Sequence, residues 1–205
     1  APSESWREYY CGTDQTPWYA YMARVLRVIQ SRRPGGGRWI LKSPQHLEQF
    51  DPLNRVFPDA TFVVTHRDPV SITASFATMA TYSARLSQSV VDPGRVGGYW
   101  ARRIEAMLRA CVEDRESLPS ERSIDVRFHE FMQDDLATVA KIYALAGQPL
   151  TSAAHEAMDA FMREHPRGKH GRIRYDLGDF GIDRGERRMA LDFYVQKFDV
   201  EIEGS

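Results

Sequence analysis

Ala60-Thr-Phe-Val-Val-Thr-His-Arg-Asp-Pro69, continuing through Val-Ser-Ile-Thr-Ala-Ser75, decides the reading of this chain. Residues 61–65 are the β-branched and aromatic run of a short buried strand. The strand empties into Arg67. Asp68 is a good helix N-cap and Pro69 suits a first helical position, so a helix starts directly after the arginine. In open parallel sheets, ligands lie beyond the carboxyl ends of the strands. Arg67 stands there with five N–H donors. The helix start adds unpaired backbone N–H groups and partial positive charge. Ser71 and Ser75 are four apart and share one helix face. A guanidinium fork, hydroxyls and a helix end together suit a phosphate monoester. The alternative is an ordinary turn, with Arg67 paired to a carboxylate and both serines on a plain helix surface.

The sequence on either side repeats the alternation of strand and helix. Upstream, Trp39-Ile-Leu41 is a short strand ending at Lys42-Ser43-Pro44, and a helix over 45–56 follows, kinked or divided by Pro52. Before it, Thr16 and Pro17 open a helix as N-cap and first residue. Trp18, Met22, Val25, Leu26 and Ile29 mark its apolar face, and Pro34-Gly-Gly-Gly37 ends it. Downstream, the segment 82–98 holds Pro93, Gly94, Gly97 and Gly98 and reads as a loop or lid. Trp100, Ile104, Met107, Leu108 and Cys111 mark a long amphipathic helix. Residues 123–128 form a third strand, with Ile124, Val126 and Phe128 alternating. Further helices carry Leu136, Val139, Ala140 and Tyr143, closed by Gly147; then Met158, Phe161 and Met162; and finally Ala190, Phe193, Tyr194 and Phe198. Strands separated by helices predict an α/β fold with parallel pairing through right-handed crossovers.

Composition narrows the function classes. The chain has 205 residues, enough for one domain with a real core. Lys plus Arg is 27 against 28 Asp plus Glu, so there is no global nucleic-acid signature and any anion site is local. Two cysteines, Cys11 and Cys111, make no disulfide framework and read as reduced thiols of a cytoplasmic protein. No apolar run approaches the roughly 18 residues needed to span a bilayer. No metal-ligand spacing is apparent.

Three motifs in order carry a family resemblance: Trp39-Ile-Leu-Lys-Ser-Pro-Gln-His-Leu47, Phe57-Pro-Asp-Ala60 and Thr65-His-Arg-Asp-Pro69. Arg167-Gly-Lys-His-Gly-Arg172, with Tyr175 and Asp179-Phe-Gly181, adds a fourth. Over about 16–198 the chain resembles bacterial-type sulfotransferases that use 3′-phosphoadenosine 5′-phosphosulfate (PAPS). The resemblance implies a three-layer α/β/α domain with a parallel sheet, related to P-loop NTPases. It also implies a strand–loop–helix of the type Gly-x-Pro-Arg-Ser-Gly-Thr-Thr, which holds the 5′-phosphosulfate. The only glycine cluster here, Pro34-Gly-Gly-Gly-Arg38, precedes a strand instead of following one. The chain, 1–205, is therefore read as a single partial sulfotransferase domain, the C-terminal portion, inactive by itself.

The resemblance assigns the 3′-phosphate of PAPS to Arg67 and Ser75, with Arg167 and Lys169 approaching from a basic C-terminal loop. Phe128 falls where relatives often place an aromatic near the adenine; an inward-facing strand residue is the alternative. Sulfuryl transfer, like phosphoryl transfer, is mainly positioning and charge stabilisation, helped by a cation on the leaving side and a base on the acceptor. Lys42 is the candidate cation and His46 the candidate base, with His66 and His170 as rivals. A surface lysine and a solvent-facing histidine are the alternatives. The acceptor is a small molecule or glycan with a hydroxyl or amine, and segment 82–98 is where its pocket is expected, with Tyr82, Arg85 and Tyr99 as candidates. Two other functions compete: a non-catalytic nucleotide-binding remnant, and a kinase of the related fold. The second lacks a Gly-Lys-Ser/Thr loop.

Overall fold

A computed structural model of the chain describes residues 3–33, 35, 37–166, 168, 169, 171 and 175–204. The fold is α/β and mostly helical, with a small parallel sheet. It divides into two compact units. One comprises Ala1–Ala60 and Ala106–Pro119, the other Thr61–Glu105 and Ser120–Ser205.

In the first unit, α1 (Glu4–Cys11) precedes α2 (Thr16–Ser31). Thr16 is the first residue of α2 and not its cap. The Asp14 carboxylate takes the Thr16 amide at 2.9 Å and its hydroxyl at 2.7 Å, so helical geometry begins one residue earlier than expected. Helix α2 packs on α3 (Phe50–Val56); in α2 Ala23 is buried, and Tyr19, Met22 and Leu26 are half-buried. Trp18, Val25 and Ile29, expected inside, are exposed, as are Tyr21 and Val28. The expected helix over 45–56 is divided at Gln49 and not at Pro52. Residues Pro44–Glu48 form a 3-10 turn, and Pro52 sits in the first turn of α3, where its missing N–H costs no hydrogen bond. The strand expected at 39–41 does not form. Trp39 lies back on α2, its indole N–H on Gln30 at 3.2 Å and the Arg33 guanidinium 5.6 Å from its ring, while Ile40 is 92% exposed. A strand needs a ladder partner, and no strand among the described residues pairs with this segment.

The second unit is built on two parallel strands, β1 (Phe62–His66) and β2 (Ser123–Arg127). Val64 and His66 face the core, while Val63 and Thr65 are exposed, so β1 is buried on one face only. After β1 comes α4 (Pro69–Arg85), then α5 (Pro93–Asp114), whose residues from Ala106 onward belong to the first unit. The segment 82–98 is thus two helix ends joined by a short connection over 86–92, not a lid. Gly94, Gly97 and Gly98 lie inside α5. A Cβ on Gly97 would fall 2.5 Å from the Cβ of Phe180, so glycine serves close packing there and not a turn. Tyr99 is buried in α5 and Tyr82 is exposed on α4. Ile104, Met107, Leu108 and Cys111 are buried as their spacing predicts.

The remaining helices are α6 (Phe128–Gln133), α7 (Asp135–Leu145), α8 (Ser152–Glu164), α9 (Arg184–Ala190) and α10 (Asp192–Phe198). Gly147, with φ of 59°, closes α7 as expected: its own N–H returns to Ala144 and that of Gln148 to Tyr143. The C-terminal helix predicted from Ala190 to Phe198 is two helices broken at Leu191. Tyr194, Phe198, Leu177 and Leu191 fill the core of this unit.

Candidate functional site

The register of the sheet builds the site. β1 and β2 pair in parallel from Phe62 with Ser123 to His66 with Arg127. The first residue beyond each strand, Arg67 and Phe128, therefore emerges side by side at the carboxyl edge. Their side chains meet, with the Arg67 guanidinium carbon 4.2 Å from the centre of the Phe128 ring. Phe128 is not a strand residue, as the alternation suggested; β2 ends at Arg127 and Phe128 opens α6. The two line a cleft with His129, Met132, Val200 and Glu203.

Arg67 already holds an anion. Its Nε and Nη2 donate to the two carboxylate oxygens of Glu203 at 2.5 and 2.9 Å. That fork raises the pKa of the guanidinium further. The alternative raised from sequence, an arginine paired to a carboxylate, is thus present, but on a side chain that stays 47% exposed at a strand end.

Asp68 caps α4 as expected, accepting the Val70 N–H at 2.9 Å. It does more than cap. Arg188 grips it with two bonds of 2.6 and 2.8 Å, and the Glu203 N–H adds a third partner at 3.1 Å. Burial works to raise its pKa, but Arg188 and the two backbone N–H groups outweigh it and hold the carboxyl below its usual value. The Ser71 hydroxyl donates to Asp68 at 3.4 Å, and Ser75, half-buried, follows one turn later on the same face.

His66, a rival base from sequence, is structural. Its Nδ1 is 2.7 Å from the Tyr194 hydroxyl, its Nε2 is 2.7 Å from Asp125, and its ring stacks on Phe198 at 4.1 Å. With both nitrogens engaged and 1% exposure, it offers no lone pair to a substrate. Arg187 plays a similar part on α9. It is buried and donates to the Ala101 carbonyl at 2.6 Å and to Glu105 at 3.0 Å. Burial lowers its pKa, with Glu105 opposing.

Lys42 and His46 belong to the other unit. Lys42 is exposed just before the 3-10 turn. His46 is half-buried within that turn, its Nδ1 2.9 Å from the Tyr19 hydroxyl. Burial lowers the His46 pKa, so the imidazole is held neutral. Burial and the nearby Glu48 push Tyr19 up to about 12, so it stays a phenol. Lys169 donates from Nζ to the Glu164 carbonyl at 3.1 Å, at the last turn of α8. Arg167 and His170 lie outside the described residues. Among the described residues, no helix is long and apolar enough to cross a membrane, and no group of His, Cys, Asp and Glu is placed to hold a metal ion.

Sequence reasoning missed Glu203, Arg188 and Tyr19. The first two lie 136 and 120 positions from their partners, so no local spacing announces them.

The family model described as "Sulfotransferase family" matches residues 10–152. The chain belongs to the sulfotransferase family. Two solved sulfotransferase structures are similar to it. STF9 from Mycobacterium avium is 28% identical, with a TM-score of 0.86 over 100% of this chain and 52% of that one. STF1 from Mycobacterium tuberculosis H37Rv is 27% identical, with a TM-score of 0.69 over 89% of this chain and 47% of that one. No curated protein matches. This sulfotransferase chain thus spans about half the length of the solved structures it matches.

Proposed function

We propose that the chain serves transfer of a sulfuryl group from PAPS to a hydroxyl or amine acceptor, a small molecule or glycan, and that Arg67 and Phe128 form a corner for the donor nucleotide, Arg67 with Ser75 holding its 3′-phosphate and Phe128 lying near its adenine. The family match runs through both compact units, which supports reading them as one sulfotransferase domain. One observation carries the assignment of the corner. At the carboxyl end of β1 a guanidinium lies against an aromatic ring and presents two parallel N–H donors to an anion, the geometry that a phosphate monoester uses. Ser75 adds a hydroxyl from α4, and Arg167 and Lys169 add positive charge from the C-terminal loop. The sulfuryl group itself is carried by the bound PAPS.

Lys42 is proposed to offset charge on the leaving side and His46 to take the acceptor proton. The second role needs the tautomer whose Nδ1–H donates to Tyr19, leaving the Nε2 lone pair free. A neutral imidazole suits that task. The sequence contains no glycine-rich strand–loop–helix for the 5′-phosphosulfate. This chain alone is therefore expected to bind nucleotide without turnover.

Calorimetry with adenosine 3′,5′-bisphosphate tests the site. Arg67→Ala should weaken binding by about tenfold or more, the usual worth of a charge-assisted bond. Unchanged affinity would reject it.

A further inference from the structure

The anion on Arg67 comes from the tail of the same chain, and the way it is held separates its side chain from its backbone. The Glu203 N–H is tied to the Asp68 carboxylate at 3.1 Å, and Asp68 is fixed in turn by Arg188. The tail is thus latched by its main chain. The Glu203 carboxylate is a separate matter. It meets Arg67 at the cleft lip, where the two side chains are 29% and 47% exposed, and no other described group holds it. Rotation about its own side-chain bonds frees the guanidinium while the latch stays closed.

We propose that Glu203 tunes the affinity of the Arg67 site: its carboxylate is the resident anion of Arg67, and ligand binding there is an exchange of carboxylate for phosphate. This rests on the reading of Arg67 as the 3′-phosphate site. A carboxylate brings one negative charge and two acceptor oxygens to the fork. A phosphate monoester at neutral pH brings between one and two charges and three oxygens. The phosphate therefore displaces the carboxylate, and the expelled Glu203 returns to water at the rim. A 3′-hydroxyl carries no charge, cannot displace Glu203, and gains nothing from Arg67. The exchange lowers affinity for every ligand that uses Arg67, and leaves nucleotides without a 3′-phosphate facing an occupied site.

Calorimetry of the chain with adenosine 3′,5′-bisphosphate and with adenosine 5′-monophosphate tests this on wild type, Glu203→Gln, Glu203→Ala, Arg67→Ala and the double variant Arg67→Ala/Glu203→Ala. Removing the competing charge should tighten bisphosphate binding by about fivefold, the scale of a partly exposed ion pair. Monophosphate binding should not change. The gain should vanish when Arg67 is absent. Both Glu203 variants binding bisphosphate no tighter than wild type, while Arg67→Ala loses binding, would overturn the exchange and leave the phosphate site standing. Equal affinity of wild type and Arg67→Ala would overturn the phosphate reading and the exchange with it.

Discussion

At the scale of single residues, Asp68 shows how one side chain joins fold and site. It caps α4, anchors α9 through Arg188 and latches the tail beside Arg67. A buried carboxylate with these partners stabilises as the anion. Asp68→Ala leaves Arg188 without its partner and should cost about 3 kcal/mol, read as a lowered urea midpoint. The pH dependence follows from the sign of the shift. The folded pKa lies below the unfolded value of about 3.9, so the stabilisation is fully present above that value and is lost as pH falls through the folded one. The stability gap between wild type and Asp68→Asn should therefore close below about pH 4. A gap that stays constant as pH falls through the acid range would mean that lost hydrogen-bond geometry, not the charge, carries the effect. His46 carries the opposite charge logic, with burial lowering its pKa. Its NMR titration should have a midpoint below about 6.5. Burial would then set its neutrality; a midpoint at or above that value contradicts the buried imidazole.

Elements were legible where local chemistry and tertiary context agree. The cap Asp68, the Pro69 start and the apolar run of β1 place strand, turn and helix from adjacent residues alone. The position of Arg67 at the carboxyl end of that strand was legible for the same reason. Its partner Glu203 was not, because pairing across 136 positions leaves no periodic trace. Residues 39–41 have strand composition, yet composition supplies no hydrogen-bond partner, and Trp39 folds back on α2 instead. The glycines of 82–98 were misread because a glycine that loosens a loop and one that admits a neighbouring ring look alike in sequence. Gly97 is of the second kind. Gly97→Ala should destabilise by about 1–3 kcal/mol through overpacking against Phe180, measured by thermal or urea unfolding. Gly98→Ala meets only the far end of the Arg102 side chain, at 3.7 Å, and should be tolerated. Equal effects would contradict the close approach.

Across the whole molecule, the family and the α/β class were readable because four motifs occur in the right order. The size of the sheet was not, since among the described residues two strands form where three were expected. The outer face of α2 is the other surprise. Trp18, Tyr21, Val25 and Val28 recur every three or four residues and all are exposed. An apolar stripe of this kind favours self-association. Sedimentation velocity should show association rising with concentration, reduced by Val28→Lys. A monomer at all concentrations would contradict it. The central claim concerns the strand end that opens the second unit. The worth of a 3′-phosphate can be measured there directly, as the affinity ratio of adenosine 3′,5′-bisphosphate to adenosine 5′-monophosphate in wild type and in Arg67→Ala. The account predicts a ratio well above one that falls about tenfold or more on removing the guanidinium; the same ratio in both proteins would contradict it.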